Sequence, residues 1–147
     1  MCECNHSIVC PVQCCIDEHG YTGIMPVFKT KGAACADVAS PKAVNINPGE
    51  TVLIDLLLSF DIPTGYKIVM YPRSSLLIKK HLIQPVSIID SDYHLHVHVP
   101  VFNAGIEPVI IEAGERVAQI ECVPVYDCTS WDHESTERTG GFGSTGK

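Results

Sequence analysis

Val44-Asn45-Ile46-Asn47-Pro48-Gly49-Glu50-Thr51-Val52-Leu53-Ile54-Asp55-Leu56-Leu57-Leu58, followed shortly by Ile62-Pro63-Thr64-Gly65-Tyr66-Lys67-Ile68-Val69-Met70-Tyr71, decides the fold class. Short apolar runs are separated by Asn, Pro and Gly. Pro fixes φ and removes a backbone donor, and Gly admits turn conformations closed to other residues, so each cluster ends a run and reverses the chain. The runs are rich in Val, Ile, Leu and Tyr and too brief for a helix. They predict strands at Val44–Ile46, 51–58 and Tyr66–Tyr71. Further along, Val97, Val99 and Val101 alternate with His96, His98 and Pro100, and strands are expected at Val109–Ile111 and 116–125. Strands at such spacing predict an all-β sandwich or barrel. One short helix is expected near residues 75–81, with Ser74-Ser75 suited to its N-terminal cap.

The 147 residues are enough for a single domain with a sizeable core, and 46% hydrophobic against 18% charged residues is a globular composition. A formal net charge of -7 argues against nucleic-acid binding, which needs clustered cations. It leaves room for a small anionic ligand held by a few local donors. No apolar run approaches the ~20 residues of a membrane-spanning helix, and residues 1–6 lack the basic and apolar pattern of a secretory signal. An intracellular location, cytoplasmic or nuclear, with no membrane partner is therefore expected. Of eight cysteines, Cys2, Cys4, Cys10, Cys14 and Cys15 lie in an N-terminal stretch of no clear periodicity. Without two CxxC pairs, reduced thiols in an arm are a simpler reading than zinc. The expected organisation is an arm over 1–25, a barrel over 26–126, and a linker and glycine-rich lid over 127–147.

Five stretches carry candidate chemistry. The tail, Arg138-Thr139-Gly140-Gly141-Phe142-Gly143-Ser144-Thr145-Gly146-Lys147, offers glycine N–H groups, two hydroxyls and a guanidinium to phosphate oxygens, and Phe142 could cover a flat base. Its match to a phosphate-binding loop fails, because no Ser or Thr and no helix follow Lys147. Tyr71-Pro72-Arg73-Ser74-Ser75-Leu76 sets an arginine and two hydroxyls at a helix start. Ile88-Ile89-Asp90-Ser91-Asp92-Tyr93 fits a β-hairpin bearing a general base beside an aromatic surface. Gly114-Glu115-Arg116-Val117-Ala118-Gln119-Ile120 is a turn entering a buried strand, and Ala34-Cys35-Ala36-Asp37-Val38 places an Asp in a strand of small residues. Plain turns, caps and a loose tail explain each stretch alone. His94, His96 and His98 would share one strand face, where exposed histidines are a simpler reading than a metal site.

Taken together, in the order Asp37, Arg73, Asp90, Gln119 and Arg138, the five stretches resemble the five motifs of trimeric dUTPases over residues 26–147. All three arginines, Arg73, Arg116 and Arg138, fall inside motifs. The resemblance implies a jelly-roll-like β-barrel, a homotrimer with active sites shared between subunits, and hydrolysis of dUTP to dUMP and pyrophosphate. That reaction sanitises the nucleotide pool and supplies the dTTP precursor. It further implies Asp90 as the base for the attacking water, and Tyr93 against the deoxyribose. Arg73, Ser74 and Gln119 would hold phosphates, and Asp37 would reach Mg²⁺ through water. Phe142 would stack over uracil, and Arg138, Ser144 and Thr145 would clamp the outer phosphates. Ser75, Gln84, Ile89 and Gly143 complete the implied contacts to the nucleotide. The third motif departs most from the family pattern, with Ser87-Ile88-Ile89-Asp90 for Gly-Val-Ile-Asp and Leu95 for Gly. Two alternatives stay open on the sequence: a dUTPase-like binding or regulatory protein, and a relative of dCTP deaminase.

Overall fold

The computed structural model describes residues 13–16, 23–128, 130–132, 137, 138 and 140–143. Most of the cysteine-rich stretch, and Ser144 and Thr145 of the expected lid, lie outside the described residues. In chain order the strands are β1 (Gln13–Ile16), β2 (Ala36–Ala39), β3 (Val44–Ile46), β4 (Thr51–Asp55), β5 (Leu58–Asp61) and β6 (Tyr66–Tyr71). Helix α1 (Ser74–Lys80) follows, and then β7 (Leu82–Ile83), β8 (Ser87–Ile89), β9 (His98–Asn103), β10 (Val109–Ile111) and β11 (Arg116–Pro124). The expected all-β architecture with one short helix is what the chain adopts.

The strands form small antiparallel sheets in the orders β1-β5, β10-β3, β2-β11-β6-β8 and β4-β9-β7. They enclose one apolar cluster, with Val38, Ile46, Leu56, Leu58, Ile111 and Val117 fully buried at its centre. In β9, Val99, Val101 and Asn103 point inward while Pro100 and Phe102 point away, the period-two pattern of a half-buried strand. Asn103 is a buried polar residue made tolerable by full pairing. Its Nδ2 donates to the carbonyls of Ile46 and Glu107, each at 2.9 Å, and its Oδ1 accepts from Gly105 N–H at 2.9 Å.

Three local expectations are corrected. The strand expected over 51–58 breaks between β4 and β5: Leu57 has φ 51° and its N–H donates to Asp55 Oδ1 at 2.8 Å. The bend lets the chain change sheets, β4 pairing with β9 and β5 with β1. Helix α1 begins one residue earlier than expected, and Arg73 rather than a serine is its N-cap residue, with no side chain capping it. His94 and His96 precede β9, so the three histidines do not lie along one strand face.

Candidate active site

Strand β11 organises the first group of predicted residues. Gln119 is in register with Asp37 of β2 on one side and Tyr71 of β6 on the other. This cross-strand row delivers Arg73, two residues beyond Tyr71, to the Asp37 carboxylate. Asp37 accepts from Arg73 Nη1 through Oδ1, and from Arg116 Nη1 through Oδ2 at 2.9 Å. Burial alone would raise the Asp37 carboxyl, but hydrogen bonds and charge from the two arginines outweigh it and hold the group below its usual range. Gln119 Nε2 donates to the Pro72 carbonyl at 3.0 Å. Arg73 Nε is buried without a hydrogen-bond acceptor among the described residues, an orphan donor beside the exposed Ser74. Ser75 is half-buried on the first turn of α1.

Gln84 is oriented by the chain itself. Its Oε1 accepts from Arg73 N–H at 3.3 Å and its Nε2 donates to the Val117 carbonyl. The side chain therefore ties the second motif to the fourth.

The second group surrounds a cavity of about 350 Å³ lined by residues that include Ser87, Ile88, Ile89, Asp90, Tyr93, His98 and Phe142. Asp90 follows β8 directly, and Tyr93 N–H closes a turn onto the Asp90 carbonyl at 3.1 Å. The segment is not the laddered hairpin expected. Strand β8 pairs with β6, whereas β9 pairs with β4 and β7. Val97 explains the divergence: its carbonyl accepts from Leu56 N–H at 3.0 Å and its N–H donates to the Leu58 carbonyl at 2.8 Å, so the returning chain is captured by the other sheet. The gap between the departing strands forms the cavity. Tyr93 is anchored by its hydroxyl, which donates to the His96 carbonyl at 2.8 Å. Burial, opposed by Arg138 and reinforced by Asp55, pushes the Tyr93 phenol up, so it stays protonated.

The described part of the tail lies over this cavity within the same chain. Arg138 donates from Nη2 to Asp90 Oδ2, from Nε to Asp92 Oδ1 at 2.7 Å, and from Nη1 to the Gly140 carbonyl at 3.2 Å. Burial would lower the guanidinium, but the two carboxylates raise it above its ordinary value. A Cβ on Gly141 would stand 2.8 Å from Tyr93 Cε2, so only glycine fits there without a shift. Phe142, at φ 52°, meets His98 edge-on with ring centroids 5.9 Å apart and an interplanar angle of 76°. Gly143, at φ 93°, takes a left-handed conformation that suits glycine.

The predicted residues thus gather into two groups, not one. Asp37, Arg73, Ser74, Ser75, Gln84 and Gln119 are all missing from the lining of the cavity that contains Asp90, Tyr93, Arg138 and Phe142. Three residues in stretches that the sequence singled out had been given no contact there. Arg116 shares Asp37 with Arg73, Asp92 shares Arg138 with Asp90, and His98 forms the wall that Phe142 meets. For His98 the signal was its alternation with inward-facing valines, which put it at the mouth of the cavity. Among the described residues no group of three or more His, Cys, Asp or Glu is arranged to hold a metal ion, and no helix is long and apolar enough to cross a membrane.

The fold is that of the dUTPases. The chain is similar to a dUTPase from phage phi11 of S. aureus, described with a structural Mg(II) ion (TM-score 0.74, 23% identity, 86% of this chain and 99% of that one). It is similar also to a variant of the Staphylococcus bacteriophage 80alpha dUTPase with dUpNHpp (TM-score 0.74, 24% identity, 92% and 98%). The dUTPase family model matches residues 21–146. The deoxyuridine 5'-triphosphate nucleotidohydrolase of Desulfotalea psychrophila is 41% identical over 131 residues, covering 83% of this chain and 87% of that protein. That of Chlamydia muridarum is 36% identical over 132 residues, covering 84% and 91%. The chain belongs to the dUTPase family.

Proposed function

We infer that the chain is a dUTP diphosphatase, hydrolysing dUTP to dUMP and pyrophosphate with Asp90 as the base that orients and deprotonates the attacking water. The observation that supports the assignment is a single cavity lined together by Asp90, Tyr93 and Phe142. Asp90 is half-exposed at the edge of this cavity, where water can reach it. Water attack at the α-phosphorus breaks the bond to the β-phosphate oxygen, and pyrophosphate leaves. Asp90 supports that step by taking the water proton. Tyr93, held by the His96 carbonyl, presents its ring to the deoxyribose and crowds a 2′-hydroxyl. Ile89 and the backbone around it border the uracil, and Phe142 covers it.

The phosphates call for cations and donors, which the first group supplies. Arg73 with its orphan Nε, Ser74, Ser75 and Gln119 face the triphosphate, and Gln84 sets the backbone that carries Arg73. Arg138, Gly143, Ser144 and Thr145 complete the clamp from the tail. Because each chain separates these groups, a neighbouring subunit brings the second group's cavity to the first group's phosphate site. This supports a homotrimer with shared sites. Tyr126 and Trp131 on the linker are 88% and 71% exposed, so the linker itself packs little on its own barrel and leaves the tail room to serve a neighbour.

Each Asp37 oxygen already accepts from an arginine, which disfavours direct coordination. The residue fits an outer role, holding Mg²⁺ through water while the triphosphate supplies the direct oxygens. When bound, Mg²⁺ neutralises phosphate charge and eases departure of pyrophosphate. The test is incubation of the purified protein and Mg²⁺ with dUTP, dCTP, dTTP and UTP. Pyrophosphate from dUTP alone is expected. Ammonia from dCTP would replace this reading with deamination, and no turnover of any nucleotide would replace it with a binding role.

A further inference from the structure

Tyr93 is held by a backbone carbonyl that it shares. Its hydroxyl donates to the His96 carbonyl at 2.8 Å, and the same oxygen lies 2.9 Å from His98 Nδ1. A carbonyl only accepts, so Nδ1 of His98 carries a proton and donates it. Both lone pairs of the oxygen are therefore taken, one by each ring. The peptide unit that bears this oxygen is pinned from its other side as well, because its N–H, that of Val97, donates to the Leu58 carbonyl at 2.8 Å. His98 is in register with Asp55 across β9 and β4, so the two side chains share a face, and His98 Nε2 lies 3.8 Å from Asp55 Oδ2. The same carboxylate oxygen accepts from His96 Nδ1 at 3.2 Å, and Asp55 Oδ1 accepts from Leu57 N–H at 2.8 Å. Asp55 thus backs both imidazoles where β4 ends. With Nδ1 on the carbonyl and Nε2 toward Asp55, His98 presents ring carbons to the cavity that it lines together with Tyr93.

We propose that His98 is a positioning residue for Tyr93 and, through it, strengthens the preference for a 2′-deoxy sugar over a ribose. The proposal rests on the reading of Tyr93 as the wall against the deoxyribose. An apolar surface alone rejects an added hydroxyl only weakly, so discrimination depends on how firmly the surface is held. A ring that can swing aside makes room for one more oxygen; a ring fixed at its hydroxyl does not. The Tyr93 hydroxyl fixes the outer end of the ring to the peptide unit between His96 and Val97. The bond from Val97 N–H to Leu58 holds that unit at one end and leaves it free to rock. The His98 bond at the oxygen removes that freedom. His98 is the first residue of β9 and is backed by Asp55 of β4, so it passes the rigidity of that strand pair to the tyrosine. It acts through Tyr93, not by a polar contact of its own to the sugar.

The test is the ratio of kcat/KM for dUTP to kcat/KM for UTP in the parent and in His98→Ala, His98→Asn, His98→Gln and Tyr93→Phe. His98→Ala should lower the ratio about fivefold, the worth of one hydrogen bond. Asparagine sets an amide donor near the position of Nδ1, so His98→Asn should keep the ratio within about twofold of the parent. Glutamine sets it near the position of Nε2, away from the carbonyl, so His98→Gln should lower the ratio as alanine does. This pair carries the test if the alanine variant fails to fold. In the Tyr93→Phe background, which has no hydroxyl to hold, His98→Ala should change the ratio little. A parent ratio in His98→Ala, equal ratios in His98→Asn and His98→Gln, or additive effects of His98→Ala and Tyr93→Phe would overturn the proposal. A parent ratio in Tyr93→Ala would instead overturn the reading of Tyr93 on which the proposal rests. The Tyr93 ring resonances, identified by their loss in Tyr93→Phe, report on His98 separately. Faster ring flipping in His98→Ala is expected, and unchanged flipping would show that His98 does not hold the ring.

Discussion

Each arginine of this chain is committed to a carboxylate, and the partners separate phosphate-facing from base-facing chemistry. Arg73 and Arg116 converge on Asp37, whereas Arg138 holds Asp90 and Asp92. In a chain of net charge -7, such pairing gathers the cations at the proposed nucleotide site. A different pair, Lys80 with Glu115, is structural. Lys80 Nζ lies 2.6 Å from Glu115 Oε1, and Glu115 Oε2 accepts from Glu112 N–H at 3.0 Å. Burial would raise the Glu115 carboxyl, but Lys80 and the Glu112 N–H outweigh it and lower it below its ordinary value. A depressed carboxyl stabilises the fold above its unfolded-state value, and that contribution is lost as pH falls through the folded-state value. Glu115→Gln should therefore lose less stability than the parent between pH 7 and pH values below the usual carboxylate range, as read by urea melts. Equal losses in both proteins would show that the pair is not linked to acid unfolding. Asp37, Arg73, Asp90, Gln119 and Arg138 were singled out in the sequence by motif. The partners were not, because a Glu or Asp many residues away becomes a partner only once the sheet register is set.

At the scale of elements, most strands were readable from apolar runs between turn residues. Val44–Ile46, Tyr66–Tyr71 and Val109–Ile111 fall where the sequence places them. The failures share one cause, tertiary capture of a backbone whose local pattern allowed two outcomes. Apart from Thr51 and Asp55, residues 51–58 are apolar and carry no Gly or Pro, so no turn residue marked the break that the Asp55 side chain and the left-handed Leu57 impose. The turn at Asp90–Tyr93 looked like a hairpin, but Val97 bonds to Leu56 and Leu58 and draws β9 into the other sheet. Asn103 secures the far end of β9. Asn103→Ala would leave the Ile46 and Glu107 carbonyls and the Gly105 N–H without their partner. The expected loss is roughly 3 kcal/mol of unfolding free energy. Denaturant titration measures it, and a loss below about 1 kcal/mol would mean that water replaces the amide.

For the whole molecule, the proposed function assigns two half-sites to one chain. The cavity lined by Asp90, Tyr93, Arg138 and Phe142 does not include the cluster of Asp37, Arg73 and Arg116. Sequence order could not reveal this, since the five motifs follow one another as though they formed a single pocket. On the proposed function, this division makes assembly part of catalysis. Chains carrying Asp90→Asn retain a sound lid, and chains carrying both Arg138→Ala and Phe142→Ala retain a sound base. Mixed by joint refolding, the two inactive preparations should regain a measurable fraction of parent activity, because a lid from one chain can close over the base of another. Activity no higher than the sum of the separate preparations would confine the lid to its own chain.

All of this depends on Asp90 being the group that activates water. The direct measurement is single-turnover hydrolysis of dUTP by Asp90→Asn alongside equilibrium binding of the same nucleotide in the absence of turnover. Asparagine keeps the shape and an acceptor oxygen but cannot take the proton, so hydrolysis should fall by about a thousandfold or more while affinity stays within about tenfold. Hydrolysis near the parent rate with affinity unchanged would contradict the account.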